Sequence, residues 1–279
     1  MAQQQLDQRY QFGDLLRRWR QDRGVSQLAL GSDADVSPRH LSFVETGRSA
    51  PSRGLVLRLA EHLEIPLRGR NELLLAAGFA PEFSQSGLDA PGLSMVRVAI
   101  RQLLTGHNPY PALVVDRDWN LVEANASTDV LIEDVPDELA AEPFNVLRYS
   151  LHPTGLAPRI LNLEQWREHV LGRLDRQVRA TADAGLAELY RELRDYPAGS
   201  PAGGGSRPGG GSRPGGGREP GAAEVVVPLR LLHKDQELSL FSTTTLFGTP
   251  NDVTVEELAI ESFYPADEST AEYLRSVAP

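Results

Sequence analysis

The stretch SQLALGSDADVSPRHLSFVETGR, residues 26–48, decides the fold of the N-terminal part of the chain. Ser26 is a good N-cap for one short helix, and Ser37 followed by Pro38 starts another. A short turn around Asp35 separates the two helices. The major groove of DNA is about 12 Å wide and admits one helix, and such a pair can place its second helix there. The stretch therefore predicts a helix-turn-helix.

Three more helices flank this pair. Apolar residues at helical spacing from Phe12 to Trp19 mark the first, which ends at Gly24. Another is capped by Ser52, and the last covers residues 70–77. Five helices this close together predict a compact all-α DNA-binding domain, which we assign to residues 1–80.

Beyond residue 109 the pattern changes to that of strands. Apolar runs at 112–116 and 120–124 predict a hairpin. Helices are expected at 126–132, 143–150, 163–181 and 186–194, followed by strands at 224–233, 237–247 and 258–264 and a closing helix at 268–277. This order predicts an α+β domain with an antiparallel sheet over residues 107–279. Residues 81–106 are expected to form a linker and a connecting helix.

A glycine-rich segment, residues 198–221, interrupts the second domain. It has no apolar side chain larger than Ala and cannot offset the entropy of ordering. We expect a flexible, disordered insertion. Its G-x-G spacings follow no strand and precede no helix, so they do not predict a phosphate site.

Composition excludes several classes of protein. The 279 residues exceed one average domain and contain no cysteine, which rules out disulfides and thiolate metal sites. The net charge of −10 divides into +2 for residues 1–80 (11 − 9) and −12 for the rest (17 − 29), so DNA is expected to meet the first part only. No apolar run is long enough for a membrane span and no signal peptide is visible, which predicts a cytoplasmic protein that does not bind membranes.

The second helix of the pair carries the candidate DNA contacts. If Leu41 and Val44 point inward, Arg39 and His40 point outward. Gln27, at the start of the supporting helix, could hold a phosphate. The alternative is that Arg39 and His40 are merely solvated.

Residues 10–78 resemble the helix-turn-helix of the Xre family, the Cro and phage-repressor class. The resemblance rests on Gln27, Leu30, Gly31, Val36-Ser37, Leu41 and Glu45-x-Gly47. It implies that Arg20 pairs with Glu45. It also implies contacts to bases or nearby phosphates from Ser37, Pro38, Arg39, His40 and Phe43, and contacts to the DNA backbone from Arg48 and Arg53. Asp35 stands where relatives usually have Gly, and Asp tolerates the left-handed conformation. Phe43 could instead pack in the core.

The second domain resembles the ligand-binding domain of MmyB-like transcription regulators, which has a PAS-like fold. The similar segments are residues 107–125, 144–160, 162–166 and 238–268. The resemblance implies a regulator that responds to a small apolar ligand, fatty-acid-like in character.

A PAS-like sheet covered by helices could enclose an apolar pocket. Its candidate lining residues are Leu113, Val115, Trp119, Phe144, Leu147, Tyr149, Trp166, Phe241 and Phe247. They could equally fill the core.

These patterns predict a transcription regulator that binds double-stranded operator DNA as a homodimer, because one short helix contacts few bases. The alternative is a PAS-like domain that serves protein interaction or dimerisation without a ligand. An enzyme fused to a DNA-binding domain is a third hypothesis, but the sequence shows no catalytic motif, no metal site and no cofactor motif.

Overall fold

The computed structural model of the chain describes residues 2–197 and 227–278, with side chains from residue 11 onward. The described chain divides into two compact units. The first takes the residues up to Ser94 together with Arg179–Thr181 and Phe247–Glu257, and the second takes the remainder. The glycine-rich segment predicted at 198–221 lies outside the described residues.

The first unit contains five helices, as predicted: α1 Ala2–Asp22, α2 Gln27–Asp33, α3 Pro38–Glu45, α4 Arg53–His62 and α5 Leu67–Ala76. Helix α5 begins three residues before its predicted start, directly after Pro66. The side chains of Ser26, Ser37 and Ser52 each accept a hydrogen bond from a backbone N–H in the first turn of the helix that follows. These caps satisfy donors that a helix start otherwise leaves unpaired, which explains why α2, α3 and α4 begin where they do.

Close backbone contacts fix the helix-turn-helix. A Cβ at Gly13 of α1 would lie 2.4 Å from the carbonyl oxygen of Glu45, and one at Gly31 would lie 2.7 Å from that of Val36. Asp35 has a φ of 53°, in the left-handed region. The turn therefore forms with Asp in the place of Gly, as expected.

The chain continues with α6 Ser94–Gly106, β1 Ala112–Val115, β2 Leu121–Ala124, α7 Val146–Leu151, α8 Leu163–Thr181, α9 Ala184–Asp195, β3 Leu229–His233, β4 Gln236–Leu246, α10 Val253–Glu256, β5 Ala259–Pro265 and α11 Glu268–Val277. The hairpin, α8 and α11 agree with the sequence prediction within one or two residues, and α6 lies in the range predicted for a linker and a connecting helix. The helix predicted at 143 starts at Val146, because Asn145 caps it. The helix predicted at 126–132 is a 3-10 helix, Ala126–Val130.

The five strands form one antiparallel sheet in the order β2-β1-β5-β4-β3. Chain neighbours β1 and β2 are separated from β3 and β4 by the last strand, and α7, α8 and α9 lie between the two hairpins in the chain. This is the PAS-like α+β arrangement that the sequence predicts. One face of the sheet packs on these helices in a single apolar core.

Candidate DNA-binding surface and ligand cavity

The first turn of α3 is accessible to a partner. Ser37, Pro38 and Arg39 are exposed and His40 is half-buried. Leu41 and Val44 are fully buried in the core of the first unit. The inward residues thus fix α3 on the domain while its first turn stays open, as a helix that enters a groove requires.

Phe43 lies between two arginines. The guanidinium carbon of Arg39 lies 5.4 Å from the centre of the Phe43 ring, and that of Arg48 lies 5.9 Å from it. These are cation–π distances. The ring is half-buried and outside the apolar core of the domain, which argues against the alternative that Phe43 packs there. Two predicted DNA-contact arginines therefore lie at one half-buried ring.

A buried ion pair between Arg20 and Glu45 joins α1 to the last residue of α3. The Arg20 Nε donates to Glu45 Oε1 at 2.6 Å and its Nη2 donates to Glu45 Oε2 at 3.0 Å, so the pair expected from the resemblance forms. The Glu45 side chain has no exposed surface. Burial by itself raises the pKa of Glu45, but hydrogen bonds from Arg20 and Gln27 outweigh it and lower that pKa. The carboxylate is therefore held ionised at the C-terminal end of α3, in contact with the first residue of α2.

Two predicted phosphate ligands have partners within the first unit. The Gln27 Nε2 donates to Glu45 Oε2 at 2.7 Å, which leaves its backbone N–H and its second amide hydrogen for a phosphate. The Arg53 guanidinium pairs with the carboxylate of Glu82. A phosphate at Arg53 would compete with Glu82, which sequence analysis did not reveal.

The second unit encloses a narrow cavity between the sheet and its helices. Its walls are almost wholly apolar, and its free volume is about 70 Å³. The polar side chains at its edge are Ser150, Arg173, Ser242 and Glu261. Pockets for drug-sized ligands measure about 300–1,000 Å³. A lipid-sized guest would therefore need the walls to move apart.

Five of the nine predicted lining residues surround this cavity: Leu113, Trp119, Leu147, Tyr149 and Trp166. Val115 and Phe144 are buried in the core nearby but do not line it.

The other two predicted lining residues, Phe241 and Phe247, lie away from the cavity. Leu240 and Ser242 face inward, so the intervening Phe241 lies on the opposite face of the sheet, where its ring stacks on Tyr264 at 5.3 Å. Phe247 follows the end of β4 and belongs to the first unit. Neither residue lines the cavity.

The cavity contains an ion pair that sequence analysis missed. The Arg173 guanidinium donates two hydrogen bonds, at 2.6 and 3.1 Å, to the carboxylate of Glu261, which also accepts one from the Thr244 hydroxyl at 2.9 Å. Glu261 is only 4% exposed. The Arg173 guanidinium also lies 5.0 Å from the Trp119 ring. The sequence signal for this ion pair is a glutamate at an inward-facing position of an otherwise apolar strand.

Two further features of the described residues bear on other classes of function. In the part of the chain that the structure describes, no three metal-ligating side chains converge as a metal site would require. Among the described helices, none is both long and apolar enough to span a bilayer.

Comparison with known proteins gives two family matches. Residues 11–73 match the model of a helix-turn-helix domain, and residues 96–277 match that of the MmyB-like transcription regulator ligand binding domain. No curated protein matches the chain.

Among the solved structures similar to the chain is an RNA-binding light-oxygen-voltage receptor, at 14% identity and a TM-score of 0.27, over 96% of this chain and 62% of that chain. The chain thus spans under two thirds of the length of that receptor, and a score this low supports no argument about fold. The match to the ligand-binding domain covers well over half of the chain, and all residues that line the cavity lie within it. The helix-turn-helix match precedes it in the chain. The chain belongs to the MmyB-like transcription regulators, with a helix-turn-helix domain followed by the ligand-binding domain of that family.

Proposed function

We propose that this regulator binds an inverted-repeat operator as a cytoplasmic homodimer, and that its second domain binds a fatty-acid-like effector. The observation that carries the first part is the exposed start of α3, with Arg39 outward over Phe43. An arginine in that place can donate to O6 and N7 of one guanine together. The small size of α3, eight residues, favours two copies on one operator.

Replacing Arg39 or Arg53 with alanine is expected to weaken DNA binding in two different ways. Arg39→Ala should weaken binding to a selected operator by about 1–3 kcal/mol and leave binding to random DNA nearly unchanged, because it removes a base contact. Arg53→Ala should weaken both alike, because phosphates carry no sequence information. Gel shifts at one fixed salt concentration, with an operator selected from random DNA, measure both losses.

The matched control is Arg58→Ala, since Arg58 is an exposed arginine of the same domain on α4 with no role in the proposed interface. It should bind both DNAs as the wild type does. Equal losses on operator and random DNA for Arg39→Ala would show that Arg39 contacts only the backbone.

The apolar cavity supports the second part of the proposal. Its lining is apolar except for a few groups around the Arg173–Glu261 pair. Such a cavity favours a ligand with a long apolar body and one polar end. Laurate, a saturated acid with twelve carbons, has this chemistry and serves as the probe.

Filling the cavity should prevent laurate from binding. Ser242→Trp places a large ring at the cavity wall, and we expect it to weaken laurate binding at least about tenfold, the equivalent of 1.4 kcal/mol. Isothermal titration with laurate below its micelle concentration measures the affinity. Phe241→Leu is the control, because Phe241 lies one residue away on the opposite face of the sheet. Equal affinities for the Ser242→Trp and wild-type proteins would exclude this cavity as the site.

The cavity volume favours one alternative. At about 70 Å³ the space is too small for a lipid-sized ligand, as expected for a PAS-like domain that binds a partner protein or its own copy and holds no ligand. Mass spectrometry of lipids extracted from the purified protein separates the two functions. A stoichiometric acyl chain supports the effector, and its absence together with no laurate binding supports the interaction module.

A further inference from the structure

The connection between β4 and β5 belongs to the DNA-binding unit although both strands belong to the other. This β4–β5 connection, Phe247–Glu257, starts just after Leu246 and ends just before Leu258. Leu246 of β4 pairs with Ala259 of β5, so both ends of the connection leave the sheet at adjacent, hydrogen-bonded positions. The connection is thus joined covalently to two strands of the cavity wall.

One carboxylate of the connection caps a helix of the DNA-binding domain. Helix α5 begins after Pro66, which provides no side-chain cap. Glu256 provides one instead, because its Oε2 accepts a hydrogen bond from the Leu67 N–H at 2.7 Å. A carboxylate at a helix start satisfies a free donor and interacts favourably with the helix dipole.

Two neighbouring carboxylates secure the same attachment. Glu257 accepts paired hydrogen bonds from the Arg68 guanidinium at 2.7 and 2.8 Å. Asp252 accepts from the Ser84 hydroxyl at 2.8 Å and from the Ser86 N–H at 3.2 Å. Burial alone would raise the pKa of Asp252, but the hydrogen bonds from these serines outweigh it and the pKa is lowered. Charge-assisted bonds of this kind are roughly twice as strong as neutral ones.

The cavity wall lies within a few residues of this attachment. Ser242 of β4 comes five positions before Phe247, and Glu261 of β5 comes four positions after Glu257, and both line the cavity. A guest that separates the sheet from its helices would shift these strands relative to the helices, since the cavity is narrow. The ends of the connection would then move with them.

From these contacts we propose that the β4–β5 connection is the coupling element of the regulator: Glu256 and Glu257 transmit displacement of the cavity wall to the start of α5, and Asp252 anchors the connection to Ser84 and Ser86 of the same unit. The inference rests on the proposed ligand function for its biological use. The mechanical coupling itself does not depend on that function, because any displacement of β4 and β5 should act through the same contacts.

The test uses the full chain and needs neither ligand nor operator. Ser242→Trp, with Ser242→Met as a milder second variant, fills the cavity. Hydrogen exchange measured by mass spectrometry follows the amides of residues 67–70. We expect a change in their exchange rates of at least about fivefold, the lower end of typical coupling between sites.

The same substitutions are then made in an uncoupled background, Asp252→Asn with Glu256→Gln and Glu257→Gln, which keeps side-chain shape and removes the three charges. In this uncoupled background, the change in exchange rate that the Ser242 substitutions cause at residues 67–70 should fall below about twofold. Glu61→Gln, an exposed glutamate on α4 of the same domain, is the matched background and should retain the full change.

Two results would overturn the inference. One is an equal change in the uncoupled background, which would mean that displacement reaches α5 by another route. The other is unaltered exchange at residues 67–70 in the coupled background when both Ser242 variants remain folded. A failure of laurate to bind leaves this test intact, so the fate of the proposed effector is decided separately.

Discussion

A Glu45→Ala variant is expected to lose about 3–5 kcal/mol of the free energy of unfolding of its DNA-binding domain, because it leaves the Arg20 guanidinium buried without its partner. Small domains are stable by only about 5–15 kcal/mol, so the loss is a large fraction of the total. Chemical denaturation followed by hydrogen exchange of α1 and α3 peptides measures it, and operator binding should be lost in parallel.

Acid should produce part of the same effect in the wild type. The pKa of Glu45 is lowered in the folded state. The stability that its ionised carboxylate contributes is therefore fully present above the unfolded pKa of about 4.3 and is lost as the pH falls through the folded pKa.

Glu61→Gln is the control for the Glu45→Ala variant and should unfold as the wild type does. If Glu45→Ala unfolds like that control, the ion pair adds nothing to this domain.

An Arg173→Met variant is expected to destabilise the second domain by a similar amount, about 3–5 kcal/mol, since the Glu261 carboxyl group then stays buried without its ion-pair partner and keeps the Thr244 hydroxyl as a hydrogen-bond donor. Thermal unfolding followed by the fluorescence of Trp119 and Trp166, which lie in this domain, measures the loss.

The paired variant Arg173→Met with Glu261→Leu should regain most of that stability, because apolar replacements of a buried pair are often neutral or stabilising. A double variant no more stable than Arg173→Met alone would show that packing at Arg173, and not the uncompensated charge, causes the loss. Arg194→Met is a suitable control, as Arg194 is an exposed arginine of the same domain.

Periodicity and capping residues predict most of the fold. Ser26, Ser37 and Ser52 mark helix starts because each satisfies a local donor, and such signals involve residues close in the chain. The predicted hairpin at 112–124 and the closing helix follow for the same reason. The order of the strands in the sheet depends on distant contacts that no local pattern indicates, and the family resemblance implies only the PAS-like fold as a whole.

The site is predicted less completely, because side-chain direction decides it. Phe241 was predicted to line the cavity on aromatic character alone, whereas the two-residue alternation of β4 directs it to the other face. The partner of Arg53 is Glu82 and that of Arg68 is Glu257, pairs that no local pattern indicates. Glu261 could have been found, since an acid at an inward position of a strand needs a cation.

For the proposed fatty-acid-like effector, a void of about 70 Å³ would make the second domain sensitive to acyl chain length. Parting the walls carries a fixed cost before any chain can enter, whereas each methylene that becomes buried contributes about 0.8 kcal/mol. Short acids would fail to offset that fixed cost, and long ones would exceed it. The regulator would then respond above a threshold number of carbons and ignore the short acids of ordinary metabolism, even when these are far more abundant.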